Sequence, residues 1–81
     1  MRELALQKSI ERRDLLLEKI RSKNKQLQKN EIVAEDLLSY SDNCRYEFKG
    51  YINSLMDIGI ITDDDIQILW DGFIYEMDSI K

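Results

Sequence analysis

The apolar residues of this chain return at alternating spacings of four and three, the period of an amphipathic helix. In the first segment Leu6, Ile10, Arg13, Leu17, Ile20, Asn24 and Leu27 keep that spacing, the heptad signature of a coiled-coil seam with Arg13 and Asn24 as its polar members. Leu15 and Leu16 widen the stripe, which suits a globular bundle as well as pairing between chains. A second face runs through Val33, Leu37, Tyr40, Cys44, Phe48, Tyr51 and Leu55, and a third through Ile66, Leu69, Trp70, Phe73, Ile74, Met77 and Ile80. The pattern predicts an all-α fold, a small bundle of about three helices over 1–29, 31–58 and 63–79 of a single domain. A long coiled-coil-like helix comes first, and an antiparallel helical hairpin follows it.

The clearest punctuation lies between Leu55 and Ile66. Gly59 in the left-handed conformation would end the second helix in a Schellman stop, with Leu55 and Ile60 as its apolar pair. Thr62 then caps the third helix, Asp65 completes a capping box, and Ile61 and Ile66 close over the cap as a hydrophobic staple. The first boundary is less sharply written. Lys23 to Asn30 is polar apart from Leu27, so the first helix ends near there with Asn30 as the cap of the next. The alternative is a helix continuing to about Leu38 with the turn in Ser39–Asn43, but the four-and-three spacing crosses that polar cluster in phase. Gly50 and Gly72 fall inside predicted helices, roughly level in the hairpin, where each points to a packing reason such as close backbone approach.

The run Leu55-Met56-Asp57-Ile58-Gly59-Ile60-Ile61-Thr62-Asp63-Asp64-Asp65-Ile66 resembles the Leu-x-x-x-Gly-x-Ile-Thr-x-x-Glu signature of the short C-terminal domain called SHOCT, and similar tails of small helical proteins of bacteriophages and mobile elements. It has Asp65 where that signature carries Glu and Ile66 where it often carries Phe, and its last helix is acidic where the family's is Lys-rich. The resemblance implies oligomerisation or protein interaction in a bacterial or phage setting.

Composition narrows the chemistry. With 81 residues, no Pro and only three Gly, the chain has room for one small helical domain, and 35% charged residues give it a solvated surface. No apolar run is long enough to span a membrane and the N-terminus does not read as a signal peptide, so a cytoplasmic protein is expected. There is no His, no phosphate-cradling Gly loop and no paired Cys, which argues against an enzyme, a cofactor or a zinc site; Cys44 reads as a buried thiol. Asp63-Asp64-Asp65 lacks the alternating ligands and central Gly of a calcium loop and is better explained by the positive end of the helix dipole.

Charge adds the functional expectation. Residues 1–29 hold nine Lys/Arg and four acids, net +5, whereas 30–81 hold three and twelve, net −9. That polarity either holds a basic helix against an acidic pair or shows partners two surfaces of opposite sign. The expected function is non-catalytic protein binding, as a small phage or mobile-element regulator or inhibitor of a host defence or nucleic-acid enzyme. Asp63, Asp64, Trp70 and Asp71 are the expected partner contacts, and Leu6, Ile10, Leu17, Ile20, Asn24 and Leu27 the seam of a homodimer. The alternatives are a DNA-associated accessory factor using the basic first helix and a structural oligomerisation module.

Overall fold

The computed structural model describes residues 1–80, which form three helices, α1 (Arg2–Gln28), α2 (Ala34–Asp57) and α3 (Asp63–Asp78), and no strand. At about 1.5 Å per residue α1 is roughly 40 Å long, and it sets the long dimension of a 44 × 16 × 15 Å rod. The helices run up, down and up. Arg12 of α1 lies over the ring of Tyr51 late in α2 while Lys23 lies over Tyr40 early in it, so these two are antiparallel. Arg2 meets Asp65 at the start of α3 and Arg21 meets Glu76 near its end, so α3 runs parallel to α1.

The core is where the three faces meet. Leu16, Leu17 and Ile20 of α1, Phe48 and Ile52 of α2, and Phe73 of α3 are fully buried, and Cys44, Leu69 and Met77 extend the cluster. Each large side chain so buried contributes on the order of 1.5–3 kcal/mol. Phe48 and Phe73 stack with centroids 4.9 Å apart, fastening α2 to α3 at mid-length. Near the start of α1 the filler is small instead: Ala5 and Ser9 are buried, and the Ser9 hydroxyl donates to the Ala5 carbonyl at 2.8 Å.

Two five-residue connections join the helices, and they are one turn written twice. In each the helix ends on a residue near φ −90° (Lys29, Ile58), and the next takes a left-handed φ, +61° at Asn30 and +77° at Gly59. The same pair of Schellman bonds follows, Asn30 N–H to Leu27 O with Glu31 N–H to Gln26 O, and Gly59 N–H to Met56 O with Ile60 N–H to Leu55 O. Both turns then enter the next helix through an extended cap, Val33 at φ −97°, ψ 161° and Thr62 at φ −102°, ψ 169°.

Two expectations change here. Asn30 does not cap α2; it supplies the left-handed residue that stops α1, a position Asn tolerates better than most side chains, so α2 starts at Ala34 and not at 31. Val33, which the pattern placed on the inner face of α2, is its exposed cap. A valine offers no side-chain acceptor, and only the reciprocal bond forms, the Val33 N–H donating to Asp36 Oδ2 at 3.4 Å. The break near residue 30 and the passage of α2 through Ser39–Asn43 stand as expected.

Candidate interaction surface

The turn at Gly59 leads directly to the surface with the strongest chemical character. Thr62 Oγ1 accepts from the Asp65 N–H at 3.3 Å, and Asp65 Oδ2 accepts from the Thr62 N–H at 3.0 Å, a complete capping box. Asp65 also receives a two-pronged guanidinium: Arg2 Nε donates to Oδ2 at 3.1 Å and Nη2 to Oδ1 at 2.6 Å. The carboxylate is buried, 6% exposed. Hydrogen bonding by Arg2, then by the Thr62 backbone N–H, holds its pKa below the ordinary carboxylate value, and Asp65 in turn raises that of Arg2.

Farther along, α3 passes under Arg13. A Cβ at Gly72 would stand 3.0 Å from Arg13 Nη1, so this glycine leaves room for a guanidinium that lies across α3. The expected packing reason therefore holds at Gly72, but not at Gly50, around which there is open space. One turn on, Arg21 Nη2 meets Glu76 Oε2 at 3.6 Å. The side of α3 that faces α1 is thus neutralised by arginines at both ends.

The opposite side of α3 is different. The helix carries six acids and no Lys or Arg. With Asp65 and Glu76 engaged by α1, Asp63, Asp64, Asp71 and Asp78 are exposed and in no ion pair among the described residues; Asp71 accepts a hydrogen bond from Gln67 Nε2 at 2.9 Å. Between them stand Ile68 and Tyr75, 72% and 73% exposed.

Three of the four expected partner contacts, Asp63, Asp64 and Asp71, are on the solvent side. Trp70 is not with Asp64 and Asp71: it faces α2, half-buried, stacked on Phe73 at 5.9 Å with the Lys49 ammonium 5.8 Å from its ring centroid. Residue type marks Trp70 as a partner contact, whereas Ile68 and Tyr75 are marked only by their place in the series 64, 68, 71, 75, 78.

The α1 seam lies mostly inside the chain's own core. Leu17 and Ile20 are fully buried, Leu6, Arg13, Asn24 and Leu27 half-buried, and Ile10 remains 40% exposed at the margin. This leaves self-association without the surface on which the sequence placed it. Five of the eight bases of α1 are engaged within the bundle: Arg2 and Arg21 pair with α3, Arg13 crosses Gly72, and Arg12 and Lys23 lie 5.2 Å from the centroids of Tyr51 and Tyr40, while Lys8, Lys19 and Lys25 are exposed.

Cys44 is buried between α1 and α2, and burial, with help from Glu47 and against the pull of Lys19, pushes its thiol pKa up. No helix among the described residues is long and apolar enough to cross a membrane, and they form no group of three or more side chains placed to hold a metal ion. Comparison of the chain with protein-family models, with curated proteins and with solved structures gave no match.

Proposed function

We propose that this chain is a non-catalytic protein-binding module that acts through the outward, acidic side of α3. The observation that carries the reading is the partition of α3's acids. Two are neutralised by arginines of α1, while Asp63, Asp64, Asp71 and Asp78 face solvent on a helix without a base. Such a field attracts a basic protein surface and repels phosphate. Basic surfaces of this kind belong to proteins that handle nucleic acid, which fits a small regulator or inhibitor of such a protein in the bacterial cytoplasm. The likeness of Leu55–Ile66 to SHOCT tails and small phage proteins supports that setting.

Catalysis has no comparable support. The chain has no His, and its one thiol has its pKa raised, the opposite of an activated nucleophile. The rival reading, α1 lying along a phosphate backbone, has less to draw on, because five of the eight bases of α1 have partners within the bundle. With its seam internal, the chain acts as a monomer.

The test compares the wild type with the triple variant Asp64→Lys, Asp71→Lys, Asp78→Lys, both immobilised and exposed to lysate of the cells that carry the gene. Proteins retained by the wild type and lost by the variant are the expected result, with an unchanged helical circular dichroism spectrum as the folding control. Retention of the same proteins by both would overturn the reading. A mobility shift of nonspecific duplex DNA at low salt would revive the DNA alternative, and light scattering showing a dimer at micromolar concentration would overturn the monomer.

A further inference from the structure

Charge left without an internal partner is sorted by side in this bundle. On α3, Asp64, Ile68, Asp71 and Tyr75 are exposed at four-and-three spacing, turned away from the core residues Leu69, Phe73 and Met77. On α1, Lys8, Arg12, Leu15 and Lys19 are exposed at the same spacing, and no acid interrupts them. Arg12 and Lys19 are in no ion pair among the described residues, and Lys8 meets Glu11 at 3.6 Å in solvent.

The two rows complement each other in one direction only. Run antiparallel, Asp64 falls opposite Lys19, Ile68 opposite Leu15, Asp71 opposite Arg12 and Tyr75 opposite Lys8, which makes two acid–base pairs, an apolar pair and a cation beside a ring. A slide of one heptad keeps the match, with Asp71 opposite Lys19, Tyr75 opposite Leu15 and Asp78 opposite Arg12. Run parallel and in step, Ile68 and Tyr75 fall opposite Arg12 and Lys19, and Asp71 opposite Leu15. Within one chain α1 and α3 are parallel and meet through other faces, so the rows cannot pair there.

We propose that in concentrated protein the outer face of α3 is covered by a second copy of this chain, whose α1 row lies antiparallel on the α3 row. The α1 row borders α2, where Arg12 lies over Tyr51, whereas the α3 row faces away from both other helices. One neighbour cannot return both contacts, so copies add in an open row and do not close into a dimer. A contact of a few exposed ion pairs and one apolar pair is weak, so the chain stays a monomer at micromolar concentration and associates at about 0.5 mM. This goes beyond the acidic-face reading but uses the same aspartates: a neighbour that covers Asp71 excludes a basic protein from it.

Sedimentation velocity follows the mean mass from micromolar concentration to about 1 mM, over which the wild type at low salt rises at least about 1.5-fold. High salt, which screens exposed charges, returns it to the monomer. Asp71→Lys and Lys19→Glu each hold the protein monomeric. Their equimolar mixture associates, because one brings an intact α1 row and the other an intact α3 row. Asp63→Lys and Lys25→Glu, the same charge changes off the rows, leave the rise in place; circular dichroism confirms that each variant is folded.

A flat mass in the wild type, association of either row variant alone, a mixture that stays monomeric, or equal damage from the off-row changes would each overturn the proposal. Those outcomes leave the acidic-face reading standing, because that reading fails only if the triple charge reversal keeps every retained protein.

Discussion

Because one turn geometry occurs twice with different residues, the chain contains its own control for what a helix cap contributes. Val33 and Thr62 occupy the same position with backbone angles within 10° of each other (φ −97°, ψ 161° against φ −102°, ψ 169°). Each precedes an aspartate at the third helical position, Asp36 and Asp65. Valine and threonine have nearly the same shape, and Val33 is exposed, so exchanging them changes a hydroxyl and little else. Val33→Thr places an Oγ1 where the Asp36 N–H, so far bonded only to the Val33 carbonyl at 3.0 Å, can donate to it. Thr62→Val removes the acceptor of the Asp65 N–H.

A cap of this kind contributes about 1 kcal/mol, within roughly 0.5–2. For a domain of this size that moves the melting temperature by about 4–8 °C, upward for Val33→Thr and downward for Thr62→Val. The caps sit at opposite ends of the rod, so the double variant should return close to the wild type, within about 0.5 kcal/mol. Urea unfolding followed at 222 nm measures this, with the slope m unchanged so that the shift in midpoint is a shift in stability. If Val33→Thr leaves the midpoint unmoved while Thr62→Val lowers it, the first connection does not hold the geometry of the second, and the equivalence of the two turns is refuted.

Other consequences are independent of the caps. Gly50→Ala and Gly59→Ala add a methyl group to open space in both cases, so backbone conformation alone sets the sign: Gly50→Ala stabilises by up to about 1 kcal/mol in its helix. Gly59→Ala, at φ +77°, destabilises by about 1–2 kcal/mol, and the same sign for both in thermal melts would contradict the turn. The Asp65 carboxyl, whose pKa is lowered in the fold by Arg2 and Thr62, contributes stability that is present above its unfolded value of about 3.9 and is lost as pH falls through the folded value. Urea midpoints of the wild type and Asp65→Asn should therefore differ at pH 7 and converge towards pH 2; parallel profiles would show the pair to be idle. Cys44, with its pKa raised by burial, should react with a thiol reagent at pH 8 no faster than the chain opens, and denaturant should release the full rate; immediate reaction in the native state would mean that α1 and α2 do not close over it.

What was legible in the sequence was whatever the helical period expresses. The three faces, the passage of α2 through its polar cluster and the whole turn from Leu55 to Ile66 could be read because Gly59, Thr62 and Asp65 are the residues that this turn favours. The first connection has the same backbone, but with Asn30 in the glycine position and Val33 in the cap position, so its signal was weak and Asn30 was assigned the wrong end of the turn. Ala5 and Ser9 escaped because small residues carry no apolar signature, yet both are buried. The pairing of Arg2 with Asp65 crosses 63 positions and no local rule reaches it.

That long-range pair lies on the side of α3 that the core turns towards α1, away from the acidic face. Consecutive residues of a helix point about 100° apart, so turning Asp65 inward turns Asp64 outward, and Asp71, Asp78, Ile68 and Tyr75 follow at seam spacing. Eleven residues after Asp65, three turns to within about 20°, Glu76 returns to the same side and meets Arg21. Burial of Leu69, Phe73 and Met77 sets the rotation of α3, arginines of α1 meet the two acids that this rotation turns towards them, and Asp64, Asp71 and Asp78 are left in one stripe on the far side.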